Sequence, residues 1–240
     1  MTILQSRDGD VLTLSLNRPE AGNRIDPASI HALIEAYEGA DPLNGGAAVI
    51  VLTAEGSVFS LGRQRPAQQS SDPLDITAEF GLIQRLNEAV QRCRAVTLSA
   101  IHGRCEGAGL SLAARADITL IAEDAIVSFP EIPHGIPPTI VLSHYRYVLP
   151  RNILGDLIFT GRELSGAEAV GAGLAARAVP AGLLHRTAQE VAAQVAGYDR
   201  RSVALVKEFL AQTEDLPPTL APKLGISLYA NEMSHRLLKS

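Results

Sequence analysis

The chain has 240 residues, 46% of them hydrophobic and 20% charged, which excludes a disordered chain and fits one domain, or one domain with a small appendage. A formal net charge of −5 supplies no global basic field and argues against nucleic acid as a partner, although a few local Arg or Lys residues could still hold an anionic cofactor. Cys93 and Cys105 are the only cysteines, too few for a disulfide scaffold, and read as buried thiols in a reducing compartment.

Residues 1–10 have neither a basic flank nor a long apolar core, so no signal peptide is expected there. The most apolar run, 47–52, is far too short to span a bilayer, and a cytoplasmic protein with no membrane partner is expected. Val11–Leu16 (VLTLSL) alternates apolar and polar residues and reads as a half-buried strand, broken by Asn17-Arg18-Pro19-Glu20. Asp26 as N-cap and Pro27 at the first helical position open a helix whose apolar stripe is Ile30, Leu33, Ile34 and Tyr37. The continuous apolar run 48–53 predicts a strand buried on both faces. A Gln-, Ser-, Pro- and Arg-containing loop over 62–73 follows, then a helix over 74–92 with Ile76, Phe80, Ile83, Leu86 and Val90 at helical spacing.

Val96–Ile101 predicts another strand, residues 102–109 a Gly-rich turn, and 110–115 a short helix of small residues. Strands are expected over 117–122 and 125–129, and beyond Pro137 mainly helices, including 200–212 and 220–238. Strands and helices alternate first and helices dominate later, which predicts an α/β core with a helical C-terminal appendage, divided as 1–185 and 186–240.

Two turns could carry chemistry. Phe59-Ser60-Leu61-Gly62-Arg63 follows one strand, and Gly107-Ala108-Gly109 follows another and opens a helix. Glycine permits close backbone approach, and the first amides of a helix have no intrahelical partner. Together the turns could aim two N–H groups at one developing oxyanion; equally, both could be plain strand-to-helix turns. Neither G-x-G-x-x-G nor G-x-x-x-x-G-K-[ST] is present, so dinucleotide and P-loop chemistry are disfavoured, and no metal ligands are assigned.

Along nearly the whole chain, the sequence resembles the crotonase superfamily, the enoyl-CoA hydratase/isomerase group. The resemblance is carried by VLTLSLNRPEAGN (11–23), VLTAEGSVFSLG (51–62), IHGRCEGAGLSLAARADI (101–118), FPEIPHG (129–135), Phe159-Thr160-Gly161 and the segment from Ser165 to Ala169, in that order and spacing. It implies a spiral of ββα turns, a C-terminal helical trimerisation region, a homotrimer or homohexamer, and coenzyme A present only as part of an acyl-CoA thioester substrate, with no permanently bound cofactor. It also implies oxyanion donors at the backbone N–H of Arg63 and Ala108, and contacts to CoA or substrate from Arg24, Leu61, Gly62, Gln64 and Gly107. Gln64 stands where the family has an aspartate.

Hydratases of the family use two glutamates. One matches Glu131; the other matches Ser111, whose hydroxyl cannot serve as a carboxylate base. Members that shift a double bond typically keep the Glu131 match alone, so the resemblance implies an isomerase- or hydratase-type enzyme with Glu131 as acid and base. Two alternatives stay open: a hydrolase of C–C or thioester bonds using His134 with Glu131, and a non-catalytic acyl-CoA binder. His144 could also activate water, and Glu106 could replace the missing glutamate. His102 and Asp117 are expected to be structural. The family's Gly-rich stretch after the second glutamate is here Pro137-Pro138-Thr139-Ile140-Val141, which alters the acyl end of the pocket. The Lys that the family's last helix often places near the adenine is expected to be missing here or to come from a neighbouring subunit.

Overall fold

The computed structural model describes residues 1–68, 70–213 and 216–238. The chain opens with a hairpin of β1 (Ile3–Asp8) and β2 (Val11–Leu16), paired antiparallel. The sequence pattern did not reveal β1. It is a polar edge strand in which Ile3 alone is buried, so it lacks the alternation that marked β2. Helix α1 (Pro27–Gly39) starts as expected, with the Asp26 carboxylate accepting from Ser29 N at 2.7 Å, and it buries Ile30, Leu33, Ile34 and Tyr37. Strand β3 (Val49–Ala54) is buried over nearly its whole length. Of the loop expected over 62–73, residue 69 lies outside the described residues. Helix α2 (Pro73–Arg92) follows, then β4 (Val96–Ile101).

The Gly-rich turn conceals a short strand, β5 (Arg104–Glu106), too brief for periodicity to register. Helix α3 (Gly107–Ala113) begins three residues earlier than the small-residue pattern indicated. After β6 (Ile118–Ala122) and β7 (Ile126–Ser128) come α4 (Thr139–Val148), α5 (Arg151–Thr160), β8 (Leu164–Ser165), α6 (Gly166–Ala172), β9 (Arg177–Val179), α7 (Leu184–Ala196), α8 (Arg200–Thr213) and α9 (Ala221–Leu237).

The larger sheet has the order β1-β2-β3-β4-β6-β9, parallel from β2 onward, and the smaller is β5-β7-β8. Parallel neighbours buried on both faces explain the continuous apolar runs of β3 and β4. Helix α7 packs on β3, β4 and β6. Helix α8 is tied to the body by Lys207, which pairs at 2.6 Å with Asp117, the same carboxylate that accepts from Thr97 N and Thr97 Oγ1. Asp117 is therefore structural, as expected. Helix α9 is joined to α8 through Glu232, which binds Arg201 at 2.9 Å and Arg236 at 2.8 Å. Both cysteines are buried and free, and burial pushes the Cys93 thiol up to about 11.

Asn23 holds the loop that leads to the first Gly-containing turn. It is the one non-glycine residue among those described with a left-handed backbone, φ 49°. Its amide nitrogen donates to Glu55 O at 2.8 Å and Val58 O at 2.7 Å, and its oxygen accepts from Arg18 N at 2.8 Å. Asn23→Ala would orphan two carbonyls and place alanine in a disfavoured conformation. The expected loss is roughly 2–4 kcal/mol of stability, read from chemical denaturation.

Candidate functional site

Three backbone strands meet around residues 59–64. Ile25 pairs with Arg63 as a parallel bridge, and Ser60 pairs with Cys105 of β5. Ile25 N donates to Gly62 O at 2.9 Å and Gln64 N donates to Ile25 O at 2.9 Å. In a parallel pairing the intervening residue turns its own N–H to the opposite side, so the Arg63 amide points away from Ile25. On the other flank Ser60 N donates to Arg104 O at 3.2 Å and Glu106 N donates to Ser60 O at 2.8 Å, which locks this turn to the start of α3.

Ala108 is the second residue of α3, so its N–H has no intrahelical acceptor, and the Glu106 side chain makes no cap hydrogen bond there. The two turns touch: a Cβ on Gly62 (φ +82°) would lie 3.6 Å from Ala108 N and 3.3 Å from Glu106 O. Gly107 (φ +50°) meets the third component, since a Cβ on it would lie 2.7 Å from Glu131 Oε1. Gly62, Arg63, Gly107, Ala108 and Glu131 are thus brought to one place.

Glu131 follows β7 and precedes a short 3-10 turn, Ile132–His134. Its Oε2 is buried with no hydrogen-bond partner among the described residues. Burial raises its pKa above the usual 4.5, and the nearby Glu106 carboxylate pushes the same way. Ser111, one turn beyond Gly107 on α3, is 4% exposed and its Oγ is likewise buried without a partner.

Arg24 donates from its guanidinium to Leu61 O at 2.5 Å, and Leu61 N donates to Gly22 O, so both flank the first turn. Gln64 directs its side-chain amide to Arg65 O at 3.3 Å. The Arg63 side chain pairs with Glu79 and lies over the Phe80 ring at 4.8 Å, which brings α2 across the site. Glu106 is paired with Arg104 at 2.8 Å.

The histidines separate. His134 is exposed, with Nδ1 2.6 Å from Pro130 O. His102 bonds Gly56 O at 3.0 Å and packs edge-on to Phe59, the structural setting anticipated for it. His144 is half-buried on α4; burial, with the Arg115 charge nearby, lowers its pKa to about 4, so it is neutral near pH 7.

Sequence reasoning did not single out Tyr145, which is fully buried, or Asn87, which is 3% exposed with its amide nitrogen unpartnered. Tyr145 OH donates to Ser111 O at 3.4 Å, and its ring packs on Phe129 at 5.3 Å. A polar residue on the buried face of an otherwise amphipathic helix was the available signal for Asn87.

A family described as enoyl-CoA hydratase/isomerase matches residues 6–235. The chain belongs to the enoyl-CoA hydratase/isomerase family. Carnitinyl-CoA dehydratase of Salmonella typhi is 30% identical over 216 residues, covering 88% of this chain and 81% of that protein. The Arabidopsis thaliana protein called probable enoyl-CoA hydratase 2, mitochondrial, is 27% identical over 196 residues; the match covers 80% of this chain but 64% of that relative. Among solved structures, an enoyl-CoA hydratase from Mycobacterium smegmatis superposes with a TM-score of 0.91 at 26% identity, covering 97% of this chain and 91% of that one. The crotonase fold is therefore established for this family member, with the helices α8 and α9 at its C-terminal end. No helix among the described residues is long and apolar enough to cross a membrane.

Proposed function

We propose that this family member is an acyl-CoA enzyme of the isomerase or hydratase type. It would hold a thioester enolate between the backbone N–H groups of Arg63 and Ala108 while Glu131 moves the proton. The observation that carries this reading is the buried Glu131 carboxyl, with one oxygen unpartnered, against Gly107 and one residue from the free first-turn amide of Ala108.

The thioester carbonyl oxygen accepts from both amides, which stabilises the negative charge as the C2 proton leaves; one such donor is worth about 3–4 kcal/mol. Glu131 takes that proton. In a 3-enoyl thioester the electron pair of the broken C2–H bond forms the C2–C3 double bond. The former C3–C4 pair then takes a proton back from Glu131 at C4. Burial makes Glu131 a stronger base than an exposed glutamate, which suits proton abstraction.

Single-carboxylate isomerisation is favoured over two-glutamate hydration because Ser111 fills the other position. The hydrolase alternative would need His134 to turn from Pro130 O toward Glu131. CoA itself would lie against Arg24, Leu61, Gly62 and Gln64, with no permanently bound cofactor. In support, a Thermobifida fusca protein of this fold was solved in complex with CoA, at 22% identity to this chain. A panel of enoyl-CoA and 3-oxoacyl-CoA thioesters followed by mass spectrometry and absorbance tests the reading. An unchanged mass with a new conjugated absorbance marks isomerisation, a gain of one water marks hydration, and free CoA marks hydrolysis. Release of CoA alone would replace the isomerase reading by the hydrolase one.

The proposed assembly is a homotrimer or homohexamer of a cytoplasmic protein, with 1–185 as core and 186–240 as helical C-terminal region. The support is apolar side chains left exposed on α8 and α9: Val206, Leu210, Ile226 and Tyr229, each more than half exposed. Light scattering is expected to give a trimer or a multiple of it; a stable 25.4 kDa monomer at micromolar concentration would contradict it.

A further inference from the structure

Helices α2, α3 and α4 each carry polar or aromatic side chains near the candidate site. On α2, Phe80, Ile83, Asn87 and Gln91 are spaced so that they share one face. Phe80 meets the Arg63 guanidinium at one end of that face, and at the other Gln91 Nε2 lies 3.4 Å from His144 Nδ1 on α4. On α3, Gly107 and Ser111 are one turn apart on a second face, and Arg115 lies just past the helix's C-terminal end. Gly107 meets Glu131 at the near end, and at the far end Arg115 lies close enough to shift His144 and Tyr145 electrostatically. Both segments therefore lead from the candidate site toward His144, with Asn87 and Ser111 between their two ends.

Those middle residues are unusual. Each is more than nine-tenths buried, and each has a side-chain polar atom with no partner among the described residues, Asn87 Nδ2 and Ser111 Oγ. A buried amide or hydroxyl left unpaired costs roughly 1–3 kcal/mol, a cost that an aliphatic pocket lining would avoid. Their neighbours do not relieve them: the Tyr145 hydroxyl is turned to Ser111 O, and the Gln91 amide to His144. With the Gln91 amide nitrogen as donor, His144 Nδ1 accepts, which leaves the proton of the neutral ring on Nε2.

We infer that the acyl group accepted here carries a hydrogen-bonding oxygen, a hydroxyl or keto group, beyond the reacting carbons, received by Asn87 Nδ2 and Ser111 Oγ. This selects substituted over plain hydrocarbon acyl chains. The inference rests on the acyl-CoA reading above and adds the substrate class to it. Asn87 offers donors and Ser111 both a donor and an acceptor, so an uncharged oxygen fits them. A site built to hydrogen-bond an oxygen discriminates against the analogue that lacks it, because the site's own groups are then left unpaired.

The test uses matched pairs of enoyl-CoA thioesters of equal chain length, with and without a hydroxyl or keto oxygen on the distal carbons, compared by calorimetry and by kcat/KM. The oxygenated member is expected to be favoured by about tenfold or more in the wild-type protein. In Asn87→Leu and in Ser111→Ala that ratio is expected to fall toward one. Equal use of both members by the wild-type protein overturns the inference while leaving the acyl-CoA function intact. An undiminished ratio in both folded variants also overturns the assignment to these residues. Failure of every thioester to bind would overturn the function itself, and this inference with it.

Discussion

Replacing Glu131 by Gln is expected to lower turnover by on the order of 10²–10⁴-fold while acyl-CoA binding stays nearly unchanged. The amide keeps the shape of the carboxyl and cannot accept the C2 proton. Burial raises the Glu131 pKa and so disfavours the charged form in the folded state, and removing the charge is expected to leave the fold no less stable at neutral pH. Thermal melts on the same preparation check this.

The pH dependence follows from the same shift. The proposed base acts as the deprotonated carboxylate, so kcat/KM is expected above the Glu131 pKa and should fall as pH drops through it. Because that pKa lies above the usual 4.5, the acid limb should sit at higher pH than an ordinary glutamate gives. Turnover that persists in Glu131→Gln would move the base to Glu106 or His134.

Gly107→Ala is expected to cost a further large factor, on the order of 10²-fold in kcat, with the fold retained. The new methyl would lie 2.7 Å from Glu131 Oε1 on a backbone at φ +50°, so the carboxylate or the turn must shift. Either movement would spoil the alignment of the proposed base and oxyanion donor, and a displacement of about 1 Å is enough for such a loss. The useful comparison is Gly171→Ala on α6, where an added methyl meets nothing within 4 Å and activity should be unaffected. Equal kcat in the Gly107 variant and the wild type would mean that Glu131 does not work against this turn.

The sequence and the structure agree most closely where a local rule acts alone. Asp26 and Pro27 mark the start of α1 because capping is a property of neighbouring residues, and β3 and β4 are legible because burial on both faces leaves uniform apolar runs. β1 and β5 escaped notice for opposite reasons. The first is a polar edge whose pairing partner supplies its order, and the second is three residues held by β7 and by Ser60. No periodicity could show that β9, late in the chain, pairs with β6.

The site divides in the same way. The turns that hold Arg63 and Ala108, and the segment that holds Glu131, are local features of the chain, so these candidates could be named from motif order. Gln91 and His144 meet through a contact between α2 and α4, and Tyr145 meets Ser111 through the packing of α3 against α4, which no spacing within any one helix encodes.

Hydrogen exchange at C2 tests the central claim most directly, because it reads enolate formation without requiring the right product chemistry. A panel of acyl-CoA thioesters is incubated with the protein in D2O and the recovered thioesters are weighed by mass spectrometry. Deuterium should enter at C2 with the wild-type protein and not with Glu131→Gln. A wild-type protein that binds these thioesters yet exchanges none of them, or a Glu131→Gln variant that exchanges them undiminished, would contradict the account.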